Sequence, residues 1–251
     1  GLELLRSIKT RAADGERGVP VIMITAYGTA ESAVEAMKAG AFDYVMKPFN
    51  NDELLLIVRR ALEAQRLKAE NVRLKADLAD RYNFGTLIGS CQKMQGVYRL
   101  IQQVKDSRIS CFIRGESGTG KELVARAIHY NGTRSGGPFV AINCGAIPEG
   151  LIESELFGYR KGAFTGALRD KEGLFAAAHN GTLFLDEVGD MPAHTQVKVL
   201  RAIQERRITP VGGVEEREID VRILSASNRD LDVEVAEGRF REDLYYRLDV
   251  I

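Results

Sequence analysis

The chain has 251 residues, 45% of them hydrophobic, with no low-complexity tract, which is room for one large or two ordinary globular domains around a buried core. Its 35 Lys and Arg balance 35 Asp and Glu, so no global charge draws it to nucleic acid or to an anionic membrane. No stretch approaches ~18 uncharged apolar residues, and the N-terminus lacks a charged-then-apolar signal pattern, so a soluble, cytoplasmic protein without membrane contact is expected. Cys91, Cys111 and Cys144 show no C-x-x-C spacing and read as buried, reduced small hydrophobes, and His129, His179 and His194 are scattered without ligand spacing.

Leu2, Leu4, Leu5 and Ile8 repeat at helical spacing before Asp14-Gly15 and Gly18 break the pattern and Val21 to Ile24 form an apolar run. A second helix starts at Thr29 as N-cap and ends at Gly40, and Phe42 to Met46 read as another strand. Thr25-Ala26-Tyr27-Gly28 and the run Gly40 to Phe49 resemble the C-terminal half of a response-regulator receiver domain, a flavodoxin-like fold. The resemblance implies that Thr25 and Lys47 contact a phosphoryl group, that Tyr44 reports the switch, and that the Lys47-Pro48 bond is cis. The family's phosphoacceptor Asp lies on an earlier strand, so the chain is expected to be a fragment of something longer.

From Asn51 a helical pattern runs without Gly or Pro to about Arg81, longer than the ~11–12 residues of an average globular helix. Ile57, Ala64, Asn71 and Leu78 fall seven apart, with Arg60, Leu67 and Leu74 on the alternate seam, which predicts a parallel two-stranded coiled coil with Asn71 fixing register. The same spacing fits an amphipathic linker packed on its own domain. Composition shifts near Tyr82, giving expected segments of 1–62 (receiver part), 63–82 (linker helix) and 83–251.

Leu87-Ile88-Gly89 and a helix from Met94 to Val104 precede an apolar run, Ile109 to Ile113, which feeds Gly115-Glu116-Ser117-Gly118-Thr119-Gly120-Lys121-Glu122 and then a helical pattern. Strand, glycine-rich loop and helix in that order make a P-loop, in which backbone N–H groups and the helix N-terminus converge on phosphates and Lys121 reaches the β- and γ-phosphates. The position after the lysine, usually Ser or Thr with its hydroxyl on Mg²⁺, is Glu122, so metal binding leans on other groups. Gly181 to Glu187 supplies them: a short apolar run ending in two carboxylates reads as a buried parallel strand, with Asp186 on Mg²⁺ and Glu187 polarising the attacking water. Pro138 to Cys144 is a further strand, ending in Asn143.

Between these lies Gly162-Ala163-Phe164-Thr165-Gly166-Ala167, an aromatic on a glycine-flanked tip, poor core material and good contact material. It spells the GAFTGA motif, and with the P-loop and receiver-like segment in order the chain resembles the AAA+ activators of the sigma-54 form of bacterial RNA polymerase. The resemblance covers nearly all of the chain and implies an α/β fold with a parallel sheet, ATP with Mg²⁺, and a homo-oligomer that runs from dimer to hexameric ring. It also implies a sensor histidine kinase as partner, with a helical lid and a DNA-binding domain outside this sequence.

Residue by residue, Ile88 and Gly89 match the family's nucleotide-contacting segment, and Ser225-Ala226-Ser227-Asn228 its sensor I, with Ser227 in place of the usual threonine. Asn143 matches the asparagine that pairs with Glu187, and Arg241 and Arg247 match two arginines acting on a neighbour's nucleotide. By charge alone those arginines also fit ordinary helix-surface ion pairs with Glu242, Asp243 and Asp249. A rival from another class is a non-hydrolysing nucleotide-binding module that signals by dimerising; Lys121, Asp186, Glu187 and Arg241 argue against it, since a degenerate site has no need of hydrolytic residues.

Overall fold

The computed structural model describes residues 1–13, 19–26, 30–81, 89 and 91–250. Two units divide the chain, Gly1–Ala76 and Asp77–Ile251. Thr29, Tyr82 and Ile88 therefore fall outside the described residues.

In the first unit α1 (Leu2–Ala13), β1 (Ile22–Thr25), α2 (Ala30–Lys38), β2 (Asp43–Met46) and the start of α3 (Asn51–Arg81) follow in the expected order. β1 and β2 pair in parallel with Thr25 opposite Met46, and Leu5, Ala36 and Ala41 form a small core against them. Gly40 takes φ +91°, the left-handed turn that stops α2 without a Cβ penalty. α3 is one continuous helix, but the heptad seam is not uniform along it. Ile57 and Ala61 are buried, whereas Ala64, Leu67, Asn71, Leu74 and Leu78 are exposed. The expected seam position Ile57 is thus spent on packing, because the first turns of the helix share its apolar face with the chain's own core.

The second unit opens with α4 (Gln92–Val104) and β3 (Cys111–Arg114), then α5 (Lys121–Tyr130), β4 (Phe139–Asn143), α6 (Glu149–Phe157) and the two-residue strands β5 (Gly158–Tyr159) and β6 (Lys171–Glu172). α7 (Leu174–Ala177), β7 (Gly181–Asp186), α8 (Ala193–Glu205), β8 (Arg207–Ile208), β9 (Arg217–Glu218), β10 (Val221–Ser227), α9 (Leu231–Ala236) and α10 (Glu242–Leu248) complete it. Four strands make a parallel sheet in the order β3-β10-β7-β4, so β10 and β7 are central and read as continuous buried runs. Alternation along them builds two cores. Leu183, Leu185 and Ile223 face α6, α8 and α10, while Phe184, Leu224 and Ala226 face α4 and α5.

Two antiparallel hairpins, β5–β6 and β8–β9, stand outside the sheet. Cys111 and Cys144 are buried as expected; Cys91 is exposed at the start of α4, where no apolar run surrounds it. No described helix is long and apolar enough to cross a membrane.

Candidate functional site

β3 brings the chain to the C-terminal edge of the parallel sheet and α5 leaves from it, so the glycine-rich turn lies where open α/β sheets bind ligands. Gly118 and Gly120 take φ +77° and +90°, a region other residues avoid. A Cβ on Gly115 would lie 2.9 Å from the Thr119 hydroxyl, which itself donates to the Glu116 carbonyl at 2.9 Å. The Gly115 N–H donates to the Ser227 carbonyl at 3.3 Å, fastening the loop to β10. Among the described residues the N–H groups of Ser117, Gly118 and Gly120 find no acceptor in the chain, which leaves them for an anionic ligand.

Lys121 is 8% exposed, and its Nζ donates to the carbonyls of Gly115 and Glu116, both at 3.0 Å. An ammonium has three donors, so one is left for a phosphate oxygen. Glu122, one residue on, accepts from Arg126 Nε at 2.9 Å and Nη2 at 2.6 Å, an i,i+4 pair along the outside of α5.

β7 ends opposite the P-loop. Asp186 is raised above its usual range by burial, while the Glu187 N–H that it accepts at 3.0 Å and the nearby Lys121 ammonium pull it back down. Glu187 sits at φ +50°, ψ +46°, a left-handed conformation for a residue with a Cβ, costing roughly 1–2 kcal/mol. That kink turns its carboxylate toward Gly145, where a Cβ would meet Glu187 Oε2 at 2.8 Å, Asp190 Oδ2 at 2.9 Å and Asn143 Oδ1 at 3.5 Å. Asn143 stands opposite Asp186 in the β4–β7 register, and its Oδ1 accepts from the Ala146 N–H at 3.0 Å. Asn143 and Glu187 are therefore neighbours, with the asparagine carbonyl engaged as a cap. Among the described residues no cluster of His, Cys, Asp and Glu would hold a metal by itself. Asp186 fits Mg²⁺ only together with phosphate oxygens, the ordinary manner of that ion.

β10 ends between the two. The Ser227 hydroxyl accepts from the Arg229 N–H at 2.9 Å and faces the Arg229 carbonyl at 3.2 Å, and Asn228 follows it, exposed at the sheet edge. Arg229 reaches Asp190 on one side and Glu234 on the other, at 3.7 Å. Arg241 begins α10, and its guanidinium makes a bidentate pair with Asp243, at 3.0 and 2.6 Å. Arg247 is exposed on the last turn of the same helix. The chain thus forms the local ion pair that charge alone allows for Arg241. Asp190, Arg229 and Gln196 escape sequence reasoning, since each acts through a tertiary contact that no local motif marks.

The tip from Gly162 to Ala167 is closed by Gly162 N–H on the Ala167 carbonyl at 2.9 Å and Ala167 N–H on the Phe164 carbonyl at 3.0 Å. Gly162 and Gly166 take φ +84° and +102°. Phe164 stays 41% exposed although its ring meets Tyr159 edge-on at 4.9 Å, and Thr165 is exposed beside it. Beneath the tip the Arg160 N–H donates to the Val211 carbonyl and the Val211 N–H to the Gly158 carbonyl, at 3.0 and 2.9 Å. Arg160 also pairs with Asp170 at 2.8 Å and Glu215 at 3.0 Å, and Arg217 with Glu172 at 2.6 Å, so the two hairpins are joined.

In the first unit Thr25 and Lys47 end up at the C-terminal ends of adjacent strands, with the Lys47 N–H on the Thr25 carbonyl at 2.7 Å and a cis Lys47-Pro48 bond. The Tyr44 hydroxyl and Ser32 Oγ lie 3.0 Å apart.

A family profile for the sigma-54 interaction domain matches residues 87–251, and one for the response regulator receiver domain matches residues 1–59. The regulatory protein AtoC of Escherichia coli is 49% identical over 251 residues, and the response regulator PilR of Pseudomonas aeruginosa 50%. Both alignments take in 100% of this chain and 54% of the relative, so the chain spans about half the length of these proteins. The crystal structure of NtrX from Brucella abortus in complex with ATP is 40% identical, with a TM-score of 0.64, over 100% of this chain and 52% of that one.

Proposed function

The chain belongs to the family of sigma-54-activating response regulators, with receiver and AAA+ P-loop segments, and from that premise we propose that it hydrolyses ATP in a homo-oligomer and spends the hydrolysis on sigma-54. The observation that carries the reading is the meeting of Lys121, Asp186, Glu187 and Asn143 at one sheet edge beside a loop of acceptor-less N–H groups. The relative solved with ATP supports the choice of nucleotide.

In this reading the N–H groups of Ser117, Gly118 and Gly120 and the Lys121 ammonium bind the β- and γ-phosphates, and Gly89 contacts the nucleotide. ATP brings the reactive phosphoanhydride, and Mg²⁺, which Asp186 would hold, would neutralise part of its charge. Glu187 orients the attacking water and draws its proton, with Asn143 beside it as the group that senses nucleotide state, and Asn228 faces the phosphate end. Arg241 and Arg247 complete the charge-stabilising shell from a neighbouring subunit, which makes a ring, commonly a hexamer, part of catalysis. Arg241 leaves Asp243 to do so. The Gly162–Ala167 tip meets sigma-54, and phosphorylation of the receiver by a sensor histidine kinase governs assembly, with Thr25, Tyr44 and Lys47 as its switch residues.

The test is Glu187→Gln in the full-length protein. The amide keeps the shape and loses the proton acceptor, so ATP binds with Mg²⁺ as before while steady-state turnover falls by roughly 10²-fold or more. Near-normal turnover would remove Glu187 from the catalytic role.

A further inference from the structure

Gln196 lies in the first turn of α8, outside every motif the sequence marks, and its side chain is wholly buried. Its amide is fully used. Nε2 donates to the Met191 carbonyl at 2.8 Å and to the Arg239 carbonyl at 3.0 Å, and Oε1 accepts from the Arg241 N–H at 2.8 Å. Met191 closes the short 3-10 turn Val188–Asp190 that follows Glu187. One side chain therefore fastens the segment leaving the nucleotide-facing strand to the backbone on which Arg241 rides. Two donors on one side and an acceptor on the other are what the three backbone groups require, and among side chains of this length only an amide offers both.

We propose that Gln196 is a positioning residue, which sets where Arg241 stands by tying its backbone to the segment after Glu187 of the same subunit. The inference rests on the reading above, in which Arg241 serves a neighbour's nucleotide. Arg241 is the N-cap residue of α10, and the acceptor of its backbone N–H is the buried Gln196 side chain. Losing that acceptor lets the backbone at Arg241 shift, and a shift of about 1 Å in a charge-stabilising group costs on the order of 10²-fold in rate. The P-loop of the same subunit has no contact with the amide, so nucleotide affinity is spared.

The test mixes full-length variants. Gln196→Met keeps the length and removes all three bonds. Alone it should bind nucleotide within about twofold of wild type while kcat falls by roughly 10²-fold. Mixed with inactive Lys121→Ala subunits, which keep sound arginines, its turnover per Gln196→Met subunit should rise, because its own site is intact and receives Arg241 from the neighbour. Arg241→Ala mixed with Lys121→Ala runs beside it. A rise in that control with none for Gln196→Met overturns the role given to Gln196. No rise in either, with mixed rings seen by native mass spectrometry, overturns the trans reading and the inference with it. If Gln196→Met fails to fold, Gln196→Glu takes its place: its carboxylate opposes the Met191 and Arg239 carbonyls, and the same rise on mixing is expected, its absence again counting against the proposal.

Discussion

His129 closes the helix that the P-loop opens, and it should make the second unit acid-sensitive well above the carboxylate range. The ring is 1% exposed, and Nδ1 lies 2.9 Å from the Thr182 hydroxyl. Burial lowers its pKa from 6.5 to about 4, with the Gly137 backbone working the other way and Arg222, Arg126 and Arg134 adding to the fall. The unfolded chain then takes up the proton first. Stability is whole above pH 6.5 and declines as the pH drops toward 4, by up to 1.36 kcal/mol per pH unit. Between pH 7 and pH 5 the loss comes to about 2 kcal/mol, a large share of the roughly 5–15 kcal/mol that hold a domain together. Urea unfolding of the wild type and of His129→Asn at both pH values reads the effect. The variant starts less stable, since it leaves a void beside Phe139, but its stability should fall by about 2 kcal/mol less between the two pH values. Parallel losses in the two proteins, or an NMR titration of the His129 ring with a midpoint near 6.5, would refute the reasoning.

Phe164→Ala or Thr165→Ala in the full-length protein should leave ATP turnover largely intact and abolish sigma-54-dependent transcription, because the tip's backbone is closed by its own hydrogen bonds and neither side chain is buried; equal loss of both activities would make the tip structural. In a peptide covering Asp52 to Arg81, Asn71→Ile should raise the melting temperature and loosen the choice of oligomer; a peptide that sediments as a monomer at every accessible concentration would remove the coiled coil.

Much of this was legible in the residues because the signals are local. An apolar run ending at Asp186-Glu187 and a glycine-rich turn ahead of Lys121 give their own positions, and the sheet edge follows from parallel packing. α3 shows where local pattern stops. Its seven-residue spacing cannot say whether an apolar face meets a second copy or the chain's own core, and Ile57 and Ala61 go to the core while Leu67 and Leu74 stay exposed. β5, β6, β8 and β9 are two residues each, too short for a period-two pattern to register. Gln196, Asp190 and Arg229 are polar residues whose partners lie up to 45 positions away, so only the folded chain discloses them. The left-handed Glu187 was likewise invisible, since nothing in a glutamate's side chain favours positive φ.

The joined hairpins bear on how the tip would deliver work. A tip on a slack tether takes up a pull by straightening, and the free energy goes into chain entropy before anything at its end is displaced. Here Val211 is hydrogen-bonded through its carbonyl to the Arg160 N–H and through its N–H to the Gly158 carbonyl below the tip, Gly212 lies so near Ala163 that an added Cβ would sit 2.6 Å from its methyl carbon, and charged pairs cross between the hairpins. Such a mounting is stiff. A small rotation of α6 or α8, to which the hairpins are directly attached in sequence, would be amplified with distance from the pivot, as by a rigid arm, and reach Phe164 with little lost to slack.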